Sequence, residues 1–134
     1  HKNLQDPQIM MLTTKSGVRI DVEAFVCAGY GYDIKCEVCC EDGIISLPEP
    51  SNAMIRTNAS RIYPICKDWS DRFVDAYNTE FQEWINCCKA GRVDGPSAWD
   101  GYVGQVTAAA ASKARDTQTI VKIDLEECPD FYKS

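Results

Sequence analysis

The hydrophobic period of the chain changes near Lys67, and that change limits the folds open to it more than any other feature. Before it, apolar residues recur at every second position. Ile20, Val22, Ala24 and Val26 alternate with Arg19, Asp21, Glu23, Phe25 and Cys27, and Ile34, Cys36, Val38 and Cys40 repeat the pattern after Gly29-Tyr30-Gly31. A period of two places alternate side chains on opposite faces of a strand. Beyond Lys67, Phe73, Tyr77, Phe81, Trp84, Ile85 and Cys88 recur at spacings of three and four, one face of a helix. Strands followed by helices predict an α+β fold.

Residues 19–41 read as a hairpin with one apolar face, its turn at Gly29-Tyr30-Gly31 and its tyrosines, Tyr30 and Tyr32, projecting from the end. Ile9-Met10-Met11-Leu12-Thr13 precedes it, and the turn signal Lys15-Ser16-Gly17 makes this run and Arg19 to Cys27 a first hairpin. Glu41-Asp42-Gly43 is the strongest turn signal, and Ile44-Ile45-Ser46-Leu47 follows as a strand stopped by Pro48 and Pro50. Residues 53–57 and 61–66 are weaker strand candidates. Asp68 or Ser70 caps a helix running to about Ala90, where Gly91 stops it; Gly95-Pro96-Ser97 opens a second helix, Ala98 to about Arg115, with Trp99, Tyr102, Val103, Val106 and Ala110 on one side. Thr119 to Leu125 alternates again and reads as a final strand. The expected architecture is an open-faced, mostly antiparallel β-sheet with two helices packed on one face, a single domain over residues 1–134.

Composition removes several function classes. A net charge of −6 without any run of Lys or Arg argues against a nucleic-acid surface. No apolar run reaches the roughly 18 residues of a membrane span, and the polar start from His1 to Asp6 does not read as a signal peptide, so a soluble cytoplasmic protein is expected. Asn58-Ala59-Ser60 fits the N-glycosylation pattern, which matters only in a secreted chain.

Several short words, taken in order, resemble the C-terminal domain of inositol 2-dehydrogenases of the Gfo/Idh/MocA oxidoreductase family. They are Tyr30-Gly31-Tyr32-Asp33, Cys36-Glu37-Val38, Glu41-Asp42-Gly43, Leu47-Pro48-Glu49-Pro50, Asp68-Trp69-Ser70-Asp71-Arg72-Phe73, Ala76-Tyr77 and residues 95–102. The resemblance implies a sheet domain that carries part of a polyol pocket and the subunit contacts of an NAD-dependent enzyme. It also implies catalytic parts that these residues do not supply: a Gly-rich βα turn, a Glu-Lys-Pro lysine, and an Asp and His on one helix. Gly29-Tyr30-Gly31 has no third glycine and lies between strands, and the one histidine, His1, stands at the chain end. A fragment that is non-catalytic in isolation and holds no cofactor of its own is expected.

By the same resemblance, Tyr30 and Tyr32 are the candidates for polyol hydroxyl contacts, with Asp33 as a third. The competing reading is that paired tyrosines beside a turn cover a sheet edge. Exposed apolar sheet surface predicts a homo-oligomer assembled through that face.

Eight cysteines complete the picture. Against the resemblance, Cys39 and Cys88 stand where an aliphatic residue is expected and Cys27 where a polar one is, so the Cys39-Cys40 and Cys87-Cys88 pairs read as introduced by engineering. Three readings stay open. Cys36, Cys40 and Cys88 continue apolar stripes and can be buried small hydrophobes. Cys40 can join Cys88 or Cys87 as a disulfide closing about 48 residues, worth about 4 kcal/mol in the loop-entropy model. Cys36, Cys39, Cys40, Cys87 and Cys88 can also hold zinc or an iron-sulfur cluster, if the strand bends. Acidic neighbours Asp21, Glu23 and Glu37 should raise the thiol pKa of Cys27 and Cys39.

Overall fold

The computed structural model describes residues 5–48 and 53–133. His1, Glu49 and Pro50, used in the sequence argument, lie outside the described residues. The fold is α+β, as expected: antiparallel strands lead and helices follow. By contacts the chain divides into two compact units, residues 1–79 and 80–134, with the division falling inside a helix.

The first unit contains three antiparallel hairpins. β1 (Gln8–Thr13) pairs with β2 (Arg19–Ala24), β3 (Glu37–Cys39) with β4 (Ile44–Ser46), and β5 (Ile55–Thr57) with β6 (Ser60–Ile62). Each pair forms its own two-stranded ladder among the described residues. The turn residues explain the pairings. At Gly17, φ is +90°, and Thr14 accepts the Gly17 N–H and donates to Val18 O, closing the β1–β2 turn. The β5–β6 loop is two residues, Asn58 and Ala59, both at positive φ, the geometry of the tight hairpin turns that match strand twist.

The expected first hairpin, Ile9–Thr13 with the strand from Arg19, is present, whereas the expected second one over residues 19–41 does not form. β2 pairs back onto β1, so Leu12 lies opposite Ile20 and Met10 opposite Val22, apolar against apolar. Gly29 and Gly31 lie in a loop, not in a two-residue hairpin turn. Among the described residues the isolated β-bridge within 25–36 is Tyr32 to Cys66, and β3 starts only at Glu37. Ile34 lies outside the named strands, while Cys36 O accepts from Leu47 N (2.9 Å) at the end of the β3–β4 pair.

α1 (Trp69–Arg72) begins on Asp68, whose Oδ1 accepts from Ser70 N (2.8 Å), Asp71 N (3.3 Å) and Ser70 Oγ (2.5 Å). One helix was expected here. It breaks at Phe73 (φ −116°, ψ 17°), and α2 (Val74–Ala90) continues after it. α2 ends in a Schellman motif: Gly91 takes φ +62°, its N–H bonds Cys88 O (3.4 Å), and Arg92 N–H bonds Cys87 O (3.1 Å).

In the second unit, α3 (Ala98–Thr117) is started by Asp100, whose Oδ2 accepts from both Ser97 N and Ser97 Oγ at 2.7 Å. The expected face is found: Trp99, Tyr102, Val103, Val106 and Ala110 are half-buried. The Tyr102 and Trp99 rings stack at 4.9 Å, and Tyr102 Oη accepts the Glu126 N–H (3.2 Å). Residues 119–125 form no ladder and are not the expected strand. Their alternation is nevertheless expressed as burial from 120 to 124, with Val121 and Ile123 half-buried and Ile120, Lys122 and Asp124 exposed. A period of two records an extended backbone with two unlike sides; it does not record a hydrogen-bonded neighbour.

The α2 face expected to be covered is open among the described residues: Phe81 and Trp84 are 62% and 65% exposed. Cys87, not Cys88, is the buried thiol, because the Schellman reversal at Gly91 brings Arg92 back onto the Cys87 end of the helix. Among the described residues no helix is long and apolar enough to cross a membrane.

Candidate functional site

The best-packed part of the first unit is the tyrosine loop together with residues 65–73. Gly31, Tyr32, Asp33, Ile65, Cys66, Arg72 and Phe73 are all half-buried, whereas the strand residues around them are mostly exposed. Three contacts hold the loop. Tyr32 N–H donates to Cys66 O at 2.8 Å. The Tyr32 ring meets Phe73 edge-on (6.0 Å, 82°), and the Arg72 guanidinium lies 5.4 Å from the Phe73 ring centre. Gly31, at φ +139°, is pressed so closely that a Cβ there would lie 2.9 Å from Cys66 O and 3.0 Å from Ile65 Cδ1. Only glycine fits that position.

The other end of the loop is pinned by Asp6. Its carboxylate accepts from Val26 N (3.0 Å) and Cys27 N (2.7 Å). Partial burial pushes the Asp6 carboxyl up, but hydrogen bonds from Cys27 and Val26 outweigh it and hold the group below the usual carboxylate range. The same carboxylate raises the Cys27 thiol, through their hydrogen bond first and then through burial and charge. The expected direction for Cys27 is right, and the acid responsible is Asp6 in place of Asp21 or Glu23.

Between these two anchors the loop lines an open depression of about 410 Å³ with Val26, Ala28, Gly29, Tyr30, Gly31, Tyr32, Lys67 and Asp68. Tyr30 and Tyr32 are therefore brought to one site. Asp33 is not in its lining: its Oδ2 receives the Tyr30 hydroxyl (3.4 Å) and pairs with Lys35 Nζ (3.1 Å), and its side chain is only 11% exposed. Asp33 orients Tyr30 from behind. Because the Tyr30 hydroxyl donates its proton there, its oxygen is left with acceptor capacity.

Lys67 and Asp68 also line the depression, a place the sequence did not predict for them. Asp68 carried a visible N-cap signal, but its place beside the tyrosines follows from the Tyr32–Cys66 bridge, a contact 34 positions apart that no local pattern announces. The Ser70 hydroxyl, then the Asp71 and Ser70 N–H groups, hold the Asp68 carboxyl below its ordinary value, so it is anionic at neutral pH.

Cys40, Cys87 and Cys88, the disulfide candidates, are free thiols, as are the other five cysteines. Cys40 sits in the β3–β4 turn, its N–H on Gly43 O (2.8 Å), and belongs to the first unit; Cys87 and Cys88 belong to the second. Among the described residues no three His, Cys, Asp or Glu side chains come together as a metal site. Gly29-Tyr30-Gly31 opens no helix, so these residues do not form a dinucleotide phosphate turn.

Residues 1–123 match the family model for the C-terminal alpha/beta domain of the Gfo/Idh/MocA oxidoreductase family. An inositol 2-dehydrogenase of Klebsiella pneumoniae is 53% identical over 133 residues, 99% of this chain and 40% of that protein. One from Pseudomonas fluorescens is 50% identical over 130 residues, 97% of this chain and 39% of the relative. The chain thus spans about two-fifths of the length of the curated relatives it matches. The crystal structure of myo-inositol dehydrogenase from Lactobacillus casei, in complex with NAD(H) and myo-inositol, superposes with a TM-score of 0.84 at 43% identity, over 97% of this chain and 39% of that one. The fold is shared further with myo-inositol 2-dehydrogenase from Lactobacillus plantarum, at 19% identity and a TM-score of 0.77 over 87% of this chain and 35% of that one. The chain belongs to the Gfo/Idh/MocA oxidoreductase family and carries its C-terminal alpha/beta domain.

Proposed function

We propose that these residues form the substrate-side and assembly domain of a cytoplasmic, NAD-dependent inositol dehydrogenase, binding a cyclic polyol at the tyrosine depression and supplying no hydride-transfer chemistry themselves. The observation that carries this reading is the convergence of Tyr30 and Tyr32 on one depression, in a chain similar to inositol 2-dehydrogenases over nearly all its length. The two rings offer apolar faces for the C–H side of a cyclitol and hydroxyls for its O–H side. An open depression encloses a ligand on one side only, so affinity for the chain alone is weak. No step through a nicotinamide is assigned to these residues.

The assembly role rests on β1. Ile9 and Met11 are 74% and 75% exposed, on the face opposite Met10 and Leu12, and are flanked across the ladder by Glu23 and Asp21. Apolar side chains at that exposure on a regular hairpin are suited to meeting a second copy. Ligand-observed NMR tests the polyol reading: myo-inositol should show saturable transfer from the unsubstituted chain, reduced in a Tyr30→Ala, Tyr32→Ala double variant. Equal transfer from both proteins removes it. Native mass measurement tests assembly, with Met11→Asp expected to shift oligomer to monomer.

A further inference from the structure

We propose that the β5–β6 hairpin binds a phosphate dianion between Arg56 and Arg61. The register places these two residues directly opposite each other, so both side chains leave the same face of the ladder. The loop is two residues long, which makes Thr57 and Ser60 the hydrogen-bonded pair beside the turn and Arg56 with Arg61 the closer, non-hydrogen-bonded pair. Their Cβ atoms are then about 5 Å apart. Backbone pairing brings the two side chains together, and the tight turn at Asn58 and Ala59 fixes that pairing. Both arginines are exposed and line one open depression of about 480 Å³, with Thr57, Asn58, Ala59 and Ser60.

Like charges directly opposite each other destabilise a hairpin. A carboxylate relieves such a charge elsewhere, Asp94 beside Arg92 and Asp116 beside Arg115, but among the described residues neither Arg56 nor Arg61 has one. In a chain of net charge −6, this pair is a local reversal of the general charge. The shape of the donors selects the ligand. Each guanidinium offers two parallel N–H groups, a fork that one carboxylate fills completely. A phosphate group has at least three terminal oxygens and close to two negative charges at neutral pH, so it can take a fork from each arginine and neutralise both. Binding would replace a repulsion between the arginines by an attraction at each, without either giving up a carboxylate partner.

The test follows the arginine Nε–H resonances of the 134-residue chain by NMR while chloride is exchanged, at constant ionic strength, for inorganic phosphate, methyl phosphate or acetate. Saturable shifts at Arg56 and Arg61 are expected with both phosphates and not with acetate. Arg56→Gln and Arg61→Gln should each weaken phosphate binding by about tenfold or more, the size of a lost charge-assisted hydrogen bond. Arg61→Glu supplies a second readout, because it sets a carboxylate opposite Arg56: its melting temperature should exceed that of the unsubstituted chain in phosphate-free buffer and should no longer rise with phosphate. Tighter binding of the inorganic anion identifies free phosphate as the ligand, and tighter binding of methyl phosphate a phosphorylated small molecule; either upholds the site. Three results would each overturn it: acetate binding as well as phosphate, glutamine variants that match the unsubstituted chain, or phosphate raising the melting temperature of that chain no more than that of Arg61→Glu.

Discussion

Replacing Gly31 by alanine should separate two costs that glycine avoids. At φ +139° an L side chain is strained, which costs about 1–3 kcal/mol. The added methyl would also stand 2.9 Å from the Cys66 carbonyl oxygen and 3.0 Å from Ile65 Cδ1. The nearer atom is backbone and cannot swing aside, so overpacking adds about 1–3 kcal/mol. Gly17→Ala supplies the control, because Gly17 also has positive φ, +90°, but nothing lies within 4 Å of its would-be Cβ. The difference between the two variants is therefore the packing cost together with the difference in strain between φ +139° and φ +90°. With a urea slope of about 1–3 kcal/mol/M, Gly31→Ala should unfold at a midpoint roughly 1 M below Gly17→Ala. Hydrogen exchange reads the same cost locally: the Tyr32 amide, bonded to Cys66 O, should exchange about tenfold faster in Gly31→Ala and at the unsubstituted rate in Gly17→Ala. Equal midpoints together with an unchanged Tyr32 amide would show that the loop does not press on residues 65–66, and the construction of the site would fail.

Other consequences follow from the same contacts. Asp6 has its carboxyl held low in the folded chain, so its contribution to stability is complete above the ordinary aspartate value of about 4 and is lost as pH falls through the lower folded value. Chemical shifts of the Val26 and Cys27 amides should move in that acid window in the native chain and stay flat in Asp6→Asn; identical titrations in both would refute the anchor. Because Asp6 raises the Cys27 thiol, Asp6→Asn should speed alkylation of Cys27 at neutral pH, measured by mass spectrometry, without changing the rate at Cys88. In the unsubstituted native chain Cys87 should be the last thiol alkylated and Cys88 should react readily, an order that reverses if the helix presents Cys88 inward. Ser97→Ala removes the hydroxyl that shares Asp100 and should cost α3 about 1 kcal/mol, seen as lower helical ellipticity and a lower melting temperature.

Local physics made much of the fold legible. The turn chemistry of Lys15-Ser16-Gly17 and Glu41-Asp42-Gly43 located two hairpins, Asp68 and Ser97 marked the helix starts, Gly91 marked a stop, and the spacing of Trp99, Tyr102, Val103, Val106 and Ala110 identified the half-buried face of α3. Each of these depends on residues within a turn or two of one another. The errors share the opposite character. Residues 19–27 were expected to pair on both sides, with 9–13 and with 34–40, and pair only with 9–13, where Leu12 and Met10 meet Ile20 and Val22; an alternating strand carries no label for how many partners it has. Phe73 breaks the expected single helix where its ring meets Tyr32, and Cys87 is buried in place of Cys88 by a reversal that begins three residues later.

The site shows the same division. The sequence by itself determined that Tyr30 and Tyr32 stand in a glycine-marked break between extended runs and that Asp68 can start a helix, because turn chemistry and helix capping are settled within a few residues. Only the tertiary structure decided that Asp33 would serve Tyr30 from behind and that Lys67 and Asp68 would stand beside the tyrosines. That placement depends on one hydrogen bond from Tyr32 to Cys66, and the free energy that selects it comes from packing Gly31, Ile65 and Phe73 together across the chain, a sum over distant residues that no single stretch of sequence contains.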